Sequence, residues 1–471
     1  MNDLLINILN ALYYFFQYTI VLYTLFVALI YALTIYLGVR AIIPYYTRLT
    51  RRSLESILQR DLYIPISILV PAYNEEQSIV ASVRSFLTLH YPQFEVLVMV
   101  DGATDQTLNR LIEAYELYES AYPYHESVQT QPIKRLFRST RYPNLIVGEK
   151  ANGGKGDAMN AGLNLAKYPI VCAVDADSLL DVEALLRAAR LFLEDEEIVG
   201  VGATIRPLNG ATIENGKIIE LNLPDNWLAR MQILEYSRAF VSGRSGWARM
   251  NALMIISGAF GLFRREMMLT LDGWSSETIT EDIELMIKIH RYHRDRNLPY
   301  RIDFIPEPLC WTEVPEDLTS LRKQRNRWHR GLFEVLWMHR DMAFNPRYGI
   351  IGMLAIPYYW LVEGLSPVIE MLGYIFILVA VYLGIIAVDV ALSLAVFALL
   401  YGVMISQIAM GVESLLVYRY NKLSARLILT ALSVLEFIGY RQILLFERFV
   451  ATFQVQSKQG QWGKMRRTGF S

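Results

Sequence analysis

Two aspartates one residue apart, Asp175 and Asp177, close the apolar run Ile170–Val174. Their charges repel unless a cation lies between them, and hard carboxylate oxygens suit Mg2+ or Mn2+, ions that keep several waters and bind substrate phosphates. The bland alternative, a cap for the helical pattern from Val182, is already served by Asp181. Two earlier apolar runs end in comparable groups. After Val70 come Pro71-Ala72-Tyr73-Asn74-Glu75-Glu76. Here proline is expected to stop a strand and leave a ring and carboxylates at a sheet edge, although Glu75 and Glu76 equally suit a helix dipole. After Val100, Asp101 is placed to accept hydrogen bonds from a ligand, whereas Thr104 or Asp105 suits a helix cap.

The stretch Lys150-Ala151-Asn152-Gly153-Gly154-Lys155-Gly156 lets the backbone approach a ligand closely and offers two lysines to phosphate. It lacks the glycine spacing and trailing Ser or Thr of a Walker A loop. Thr280-Glu281-Asp282 opens a helical pattern carrying Ile283, Met286, Ile287 and Ile289, so capping accounts for part of its acidity. Ser257-Gly258-Ala259-Phe260-Gly261 is small and apolar, suited to a wall against a flat ligand or to close packing. Gln324-Arg325-Asn326-Arg327-Trp328 lies in a basic amphipathic segment, Leu321 to Met338. That segment reads as a helix on anionic lipid with Trp328 and Trp337 as anchors. The lipid reading leaves Gln324, Arg327 and Trp328 unexplained.

Elements that would position these groups are visible in the patterning. Apolar runs Ile64–Val70, Glu95–Val100, Leu145–Val147 and Ile170–Val174 alternate with helical patterns from Glu75, after Thr104, over Lys155–Ala166 and over Val182–Leu193. Such alternation predicts βαβ units around a buried, mainly parallel sheet, with ligands beyond the carboxyl ends of the strands. Leu4 to Val39 carry no charge. As one helix that run is roughly 50 Å long, against a hydrocarbon core of about 30 Å, which predicts one span over Tyr13 to Gly38 preceded by an interfacial stretch. Signal-peptide features are missing from it. Arg40, Arg48, Arg51 and Arg52 follow the span, so the positive-inside rule places the middle of the chain in the cytoplasm.

Met371–Val388 and Val390–Val412 read as a hairpin of two spans turning outside at Asp389. Arg419, Lys422 and Arg426, and Lys464, Arg466 and Arg467 of the tail, would then lie inside. Gly349–Val362 is too short to span alone. Leu427–Gln454 is interrupted by Glu436, Arg441, Glu447 and Arg448, which predicts an interfacial or bundle-packed segment.

Composition agrees with a membrane protein bearing a sizeable soluble part. The 471 residues are 53% apolar and only 19% charged, below the roughly 25% of soluble chains. Mean hydropathy is +0.26. A net charge of -1 argues against a nucleic-acid partner, because nothing is left over to neutralise phosphates. Cys172 and Cys310, the only cysteines, allow no disulfide framework or zinc site and are expected in the core.

Taken in order, Asp101, Asp175-Ala176-Asp177, Thr280-Glu281-Asp282 and Gln324 to Trp328 form a pattern of one aspartate, a D-x-D pair, a T-E-D and a Q-x-x-R-W. This order resembles the membrane-embedded family 2 glycosyltransferases, which include cellulose, chitin, hyaluronan and bacterial poly-N-acetylglucosamine synthases. The resemblance covers nearly the whole chain and is best over residues 64–335. It implies an α/β domain of the GT-A type inserted between transmembrane helices, holding a UDP-sugar donor and one Mg2+ or Mn2+ ion. By that resemblance Tyr73, Glu75 and Asp101 contact the uridine and Lys155 lies near the nucleotide. Asp177 ligates the metal with Asp175 beside it. Asp282, next to Glu281, is the general base; Arg327 and the metal stabilise the departing diphosphate, Trp328 stacks under the acceptor sugar, and Gln324 belongs to the same catalytic set. One departure is Val100, where many relatives carry a second aspartate.

The implied organisation is a transmembrane segment over 1–46, a cytoplasmic catalytic domain over 60–316 and an amphipathic interfacial helix over 317–345. A transmembrane and interfacial bundle over 346–456 and a cytoplasmic tail over 457–471 follow. With so short a tail, regulation through a fused cyclic-dinucleotide receptor domain is expected to need a separate subunit. The implied activity is an inverting, metal-dependent hexosyl transfer that elongates a β-linked polysaccharide at the cytoplasmic face of the plasma membrane and passes it across. Its partners would be the UDP-sugar, the growing glycan or a glycolipid acceptor, membrane lipids and accessory subunits. Transfer of one sugar to a lipid carrier is the alternative. A transporter with a regulatory nucleotide domain is a third reading, for which no second transport-like repeat is seen.

Overall fold

The uncharged N-terminal run lies within one unbroken helix, α1 (Asn2–Arg51), of the computed structural model, which describes residues 2–51, 63–416 and 423–455. Its segment Tyr13–Ile42 is long and apolar enough to cross a membrane, in line with the expected span. The helix continues through the stretch expected to be interfacial. Arg52, Arg419, Lys422 and the tail residues Lys464, Arg466 and Arg467 fall outside the described residues.

Strands β1 (Ile66–Ala72), β2 (Phe94–Asp101), β5 (Leu145–Lys150) and β6 (Ile170–Val174) pair in parallel, in the order β5-β2-β1-β6. Helices α2 (Ile79–Leu87), α3 (Thr107–Tyr115) and α4 (Lys155–Leu165) make the crossovers. Ile66, Ile68, Leu69 and Val70 have no exposed surface, the reason these strands read as continuous apolar runs rather than alternating ones.

The complete sheet is mixed, which corrects the expectation of a mainly parallel one. Ten strands run in the order β3-β4-β5-β2-β1-β6-β11-β8-β12-β7. The added strands are β3 (Leu117–Glu119), β4 (Ile133–Ser139), β7 (Ser178–Leu180), β8 (Ile198–Pro207), β11 (Phe260–Arg264) and β12 (Arg301–Thr312). The β3–β4, β4–β5, β6–β11, β8–β11 and β7–β12 pairs are antiparallel. Single helices join β1 to β2 and β5 to β6, whereas β2 reaches β5 through α3, β3 and β4, so the alternating signal is confined to the four parallel strands. Pro71 also departs from expectation. It sits inside β1 opposite Met99, and the strand ends one residue later. A missing N–H so near the strand end removes a single ladder bond, which the pairing tolerates.

Between β6 and β12 lie α5 (Ala184–Glu194), the hairpin of β9 (Ala211–Glu214) and β10 (Lys217–Leu221), and α6 (Trp227–Ser237). A wide π turn over Arg238–Arg244 leads into α7 (Ser245–Arg249), followed by α8 (Arg265–Thr270) and α9 (Glu281–Arg296). Gly246 packs α7 directly on α1, since a side chain there would run into the Thr34 carbonyl. Cys172 and Cys310 are fully buried and unpaired, as expected of core residues.

After β12 the chain forms α10 (Leu318–Met338) and a broken helical run over Ile351–Gly364, which meets α11 (Ser366–Tyr382) at a 47° bend. Then come α12 (Val388–Leu416), α13 (Leu423–Leu435) and α14 (Arg441–Gln454). Asp389, expected between two spans, sits inside the first turn of α12, and α11 ends earlier, at Tyr382. Three helical stretches among the described residues are long and apolar enough to span a membrane, or four with the bent pair as one span. The last is Leu423–Gln454, and the four charges expected to interrupt it after Leu427 are all paired. Glu436 meets Arg238, Arg441 lies 3.5 Å from Glu370, Glu447 lies 2.7 Å from Arg322, and Arg448 lies 3.6 Å from Glu363. Pairing explains how an apolar helix carries them, with Glu436 and Glu447 buried against protein and Arg441 half exposed.

Candidate active site

Parallel strands bring the ends of β1, β2, β5 and β6 to one edge of the sheet, and with them Tyr73, Asp101, Lys150 and Asp175. Phe260 at the start of antiparallel β11 pairs with Val174, so the small loop Ser257–Ala259 joins the same edge. Thr312 at the end of β12 pairs with Ser178, just beyond Asp177, and therefore starts the approach to α10 there as well.

Lys155, at the first position of α4, stands at the centre. Its ammonium lies 2.7 Å from Asp175 Oδ1 and 3.1 Å from Glu281 Oε1. Burial alone would lower its pKa, but Asp175 and Glu281 more than offset that and hold it above the ordinary lysine range. Gly258 is a condition of this geometry, because a Cβ there would lie 2.5 Å from Lys155 Nζ. Asp282 Oδ2 accepts a long 3.4 Å hydrogen bond from the Gly258 N–H, and Oδ1 accepts one from Ile283 N at 2.9 Å. Burial and the neighbouring Glu281 charge push the Asp282 carboxyl up to about 6, against the pull of Lys155 and Arg244. A half-buried carboxylate with a raised pKa beside a cation is equipped to accept a proton near neutrality.

Arg244 was not singled out in the sequence, where one arginine in an irregular stretch gives no signal. Its guanidinium stacks 3.8 Å from the Phe240 ring centre, and burial holds its pKa down to about 10, so it stays charged at neutral pH. Its Nη1 has no hydrogen-bond partner. Asp282 and Tyr236 act on Arg244, and Asp177 in turn acts on Tyr236. Because Lys155 bridges Asp175 and Glu281, Asp177 and Asp282 lie within two residues of one shared cation.

The base side of the edge is built differently from the expectation. Asp101 is 3% exposed, and its carboxylate takes Lys150 Nζ at 2.6 Å, Gly153 N at 2.9 Å and Gly154 N at 2.8 Å. It holds the glycine loop in place. Lys150 is fully buried between Asp101 and Asp157, so it offers no charge to a phosphate; Lys155 alone of the two lysines faces the site. Glu75 is buried with Oε2 at 2.9 Å from the Ser78 hydroxyl, whereas Tyr73 is exposed. Asn74, Glu76 and Asp105 tie the loops after β1 and β2 together: Asn74 Oδ1 accepts from Thr104 N, Glu76 Oε2 from Gln106 N, and Asp105 Oδ2 from Glu76 N.

Helix α10 covers the catalytic edge. Gly331 packs against the Thr280 side chain, which sets α10 on the turn preceding Asp282. Gln324 is buried with Oε1 unpaired, Arg327 is half-buried, and Trp328 is exposed beneath the Arg325 guanidinium at 4.4 Å. Helix α14 fixes this helix from behind. Asn326 Nδ2 donates to Glu447 Oε1 at 2.9 Å, and His329 Nε2 lies 2.9 Å from Thr452 Oγ1. Among the described residues no three His, Cys, Asp or Glu side chains converge at ligand spacing. A divalent ion completed by substrate phosphates and water needs only one or two carboxylates. The hard oxygens of Asp177 and Asp175 fit such a shared ion.

Residues 170–409 match the profile of glycosyl transferase family group 2, and residues 67–267 that of glycosyl transferase family 2. The chain is 28% identical over 271 residues to the poly-beta-1,6-N-acetyl-D-glucosamine synthase of Staphylococcus epidermidis, a match covering 58% of this chain and 55% of that protein. With the synthase of the same name from Staphylococcus aureus (strain COL) the identity is 28% over 306 residues, 64% of each chain. The chain thus spans somewhat more than half the length of the curated relatives it matches. Among solved structures, the mannosyltransferase PcManGT from Pyrobaculum calidifontis, in complex with GDP-Man and Mn2+, aligns over 90% of this chain and 98% of its own. The TM-score is 0.54 at 18% identity, a likeness of fold. With one profile spanning just over half of its length, this chain belongs to the family 2 group of glycosyltransferases and has the GT-A fold.

Proposed function

We propose that the chain transfers a hexose from a UDP-sugar to the hydroxyl of a growing β-linked glycan with inversion, at the cytoplasmic face of the membrane, and passes the product through its own helices. The observation that carries this reading is the cluster Asp282, Lys155, Asp175 and Glu281, placed under α10 with its Gln324, Arg327 and Trp328. In this reading Asp282 removes the acceptor's proton as that oxygen attacks the anomeric carbon. The bond from that carbon to the diphosphate oxygen breaks, and the electron pair leaves with UDP. Lys155 and Arg327 face the charge that develops on the departing diphosphate. Asp177, with Asp175, would hold a Mg2+ or Mn2+ ion whose chemistry is to neutralise phosphate charge. Tyr73 and Glu75 line the nucleoside side, and Asp101 acts there through the loop it braces. Trp328 offers the acceptor sugar an aromatic face.

Membrane passage is supported by the flanking apolar helices, and the cytoplasmic side by Arg40, Arg48 and Arg51 after the first span. The similarity to poly-beta-1,6-N-acetyl-D-glucosamine synthases supports N-acetylglucosamine as the sugar and polymer as the product. The test is purified full chain in nanodiscs, supplied with a panel of UDP-sugars and GDP-mannose, with Mg2+ or Mn2+. Released nucleotide identifies the donor, and product mass separates polymer from a single labelled lipid. No nucleotide release from any donor ends the proposal.

A further inference from the structure

A cavity of about 80 Å³ opens between the foot of α1 and the catalytic domain. Tyr45 of α1, Arg187 and Arg190 of α5, Ser245 and Arg249 of α7 and Arg301 of β12 line it. Its volume is several times the roughly 10–15 Å³ that one water needs, enough for a phosphate-sized group. Its depth in the membrane is set by α1. The apolar span ends at Ile42, and Ala41 and Tyr45 both line the cavity, so it lies where the chain leaves the hydrocarbon.

Hydrogen bonding, rather than net charge, points to an anion. Four arginines line the space, but five carboxylates neutralise three of them, and two of those five, Glu194 and Asp303, share the lining. Arg187 is engaged by Glu183 and Glu307, Arg190 by Glu194, and Arg301 by Asp195 and Asp303. Tyr45 donates to Glu307 at 3.1 Å, which ties α1 to the same network. Arg249 is exposed and has no ion-pair or hydrogen-bond partner among the described residues. Ser245 is 3% exposed, and its hydroxyl has no partner either. The buried hydroxyl is a donor awaiting an acceptor, and the exposed Arg249 guanidinium on the same wall is available to match phosphate oxygens by paired hydrogen bonds.

We propose that this cavity binds the phosphodiester headgroup of an anionic membrane lipid, with Arg249 and Ser245 as the donors. Bound there, the lipid bridges α1 to α5, α7 and β12 and stabilises the docking of the membrane helix on the catalytic domain. Inorganic phosphate presents the same oxygens, and the position at the end of the α1 span is what favours the lipid. The inference uses α1 as a membrane span and is independent of the donor and acceptor proposed above.

The test is the full chain in detergent, titrated with short-chain phosphatidylglycerol, short-chain phosphatidylcholine or inorganic phosphate. Native mass spectrometry reads lipid retained, and thermal unfolding reads stabilisation by mass action. Expected is a one-to-one phosphatidylglycerol adduct with a raised unfolding temperature, and affinity lowered about tenfold in Arg249→Gln, the loss of one charge-assisted contact. Ser245→Ala lowers it less, and phosphatidylcholine binds more weakly than phosphatidylglycerol. Phosphatidylglycerol affinity unchanged in both variants, or no better than that of phosphatidylcholine, overturns the site. Inorganic phosphate displacing the lipid at equal affinity overturns the lipid assignment.

Discussion

Lys155 and Asp175 form an ion pair of 2.7 Å between the first turn of α4 and the end of β6, so a lysine cation meets one of the two neighbouring aspartates. The pair places an ammonium between Asp175 and Glu281, so one lysine links the end of β6 to the start of α9, which carries Asp282. Changes at this junction therefore separate binding from chemistry.

Asp282→Asn keeps the size and most of the hydrogen bonding of the side chain but cannot take a proton. Turnover should fall by about 10²–10⁴-fold while nucleotide binding persists. Single-turnover kinetics and nucleotide binding, measured on the same preparation, check both halves. Wild-type turnover in this variant removes Asp282 as the base.

The pH profile follows from the raised Asp282 pKa of about 6, caused by burial and by Glu281. A base acts in its ionised form, so kcat should climb as pH rises through about 6 and level off above it. The limb should be missing from the residual activity of Asp282→Asn. A rate that is flat from pH 5 to 8, as a bracket on the window around that value, contradicts the assignment.

Gly258→Ala places a methyl group 2.5 Å from Lys155 Nζ. The ammonium, at the end of a flexible chain, should give way while the fold is kept. Misplacing it should cost about 10- to 100-fold in kcat. Since Lys155 lowers the Asp282 pKa, its displacement should also move the pH midpoint upward. A lower rate with an unmoved midpoint would mean that the methyl group acts on something other than Lys155.

Lys150→Met leaves Asp101 and Asp157 as buried carboxylates without their shared cation. Removing one partner of a buried ion pair costs about 3–5 kcal/mol. Denaturant unfolding should show that loss, and donor affinity should drop because the Gly153–Gly154 loop loses its brace. Lys155→Met should instead leave stability nearer the wild type and reduce turnover.

Asp177→Ala should abolish the part of nucleotide binding that depends on added Mn2+. Titrating UDP with and without the ion reads this directly. Equal Mn2+ dependence in the variant and the wild type would take Asp177 out of the metal site.

Much of the site was legible in the chain because strand ends are local events. An apolar run that stops at Tyr73, Asp101 or Asp175 puts that residue at the sheet's carboxyl edge whatever the rest of the molecule does. The uncharged length of Leu4–Val39 likewise needs no partner to read as a span, and the spacing of T-E-D and Q-x-x-R-W depends on the chain alone.

Tertiary structure decided whatever depends on distances between remote segments. Lys150 and Lys155 look alike in the sequence, yet one is sealed between Asp101 and Asp157 and the other meets Asp175 and Glu281, because strand pairing sets which carboxylate each can reach. The antiparallel flanks of the sheet, the pairing of Glu436, Arg441, Glu447 and Arg448, and the approach of Arg244 to Asp282 have the same origin. Local periodicity reports which face of an element is apolar; it carries no record of which distant charge will be folded against it.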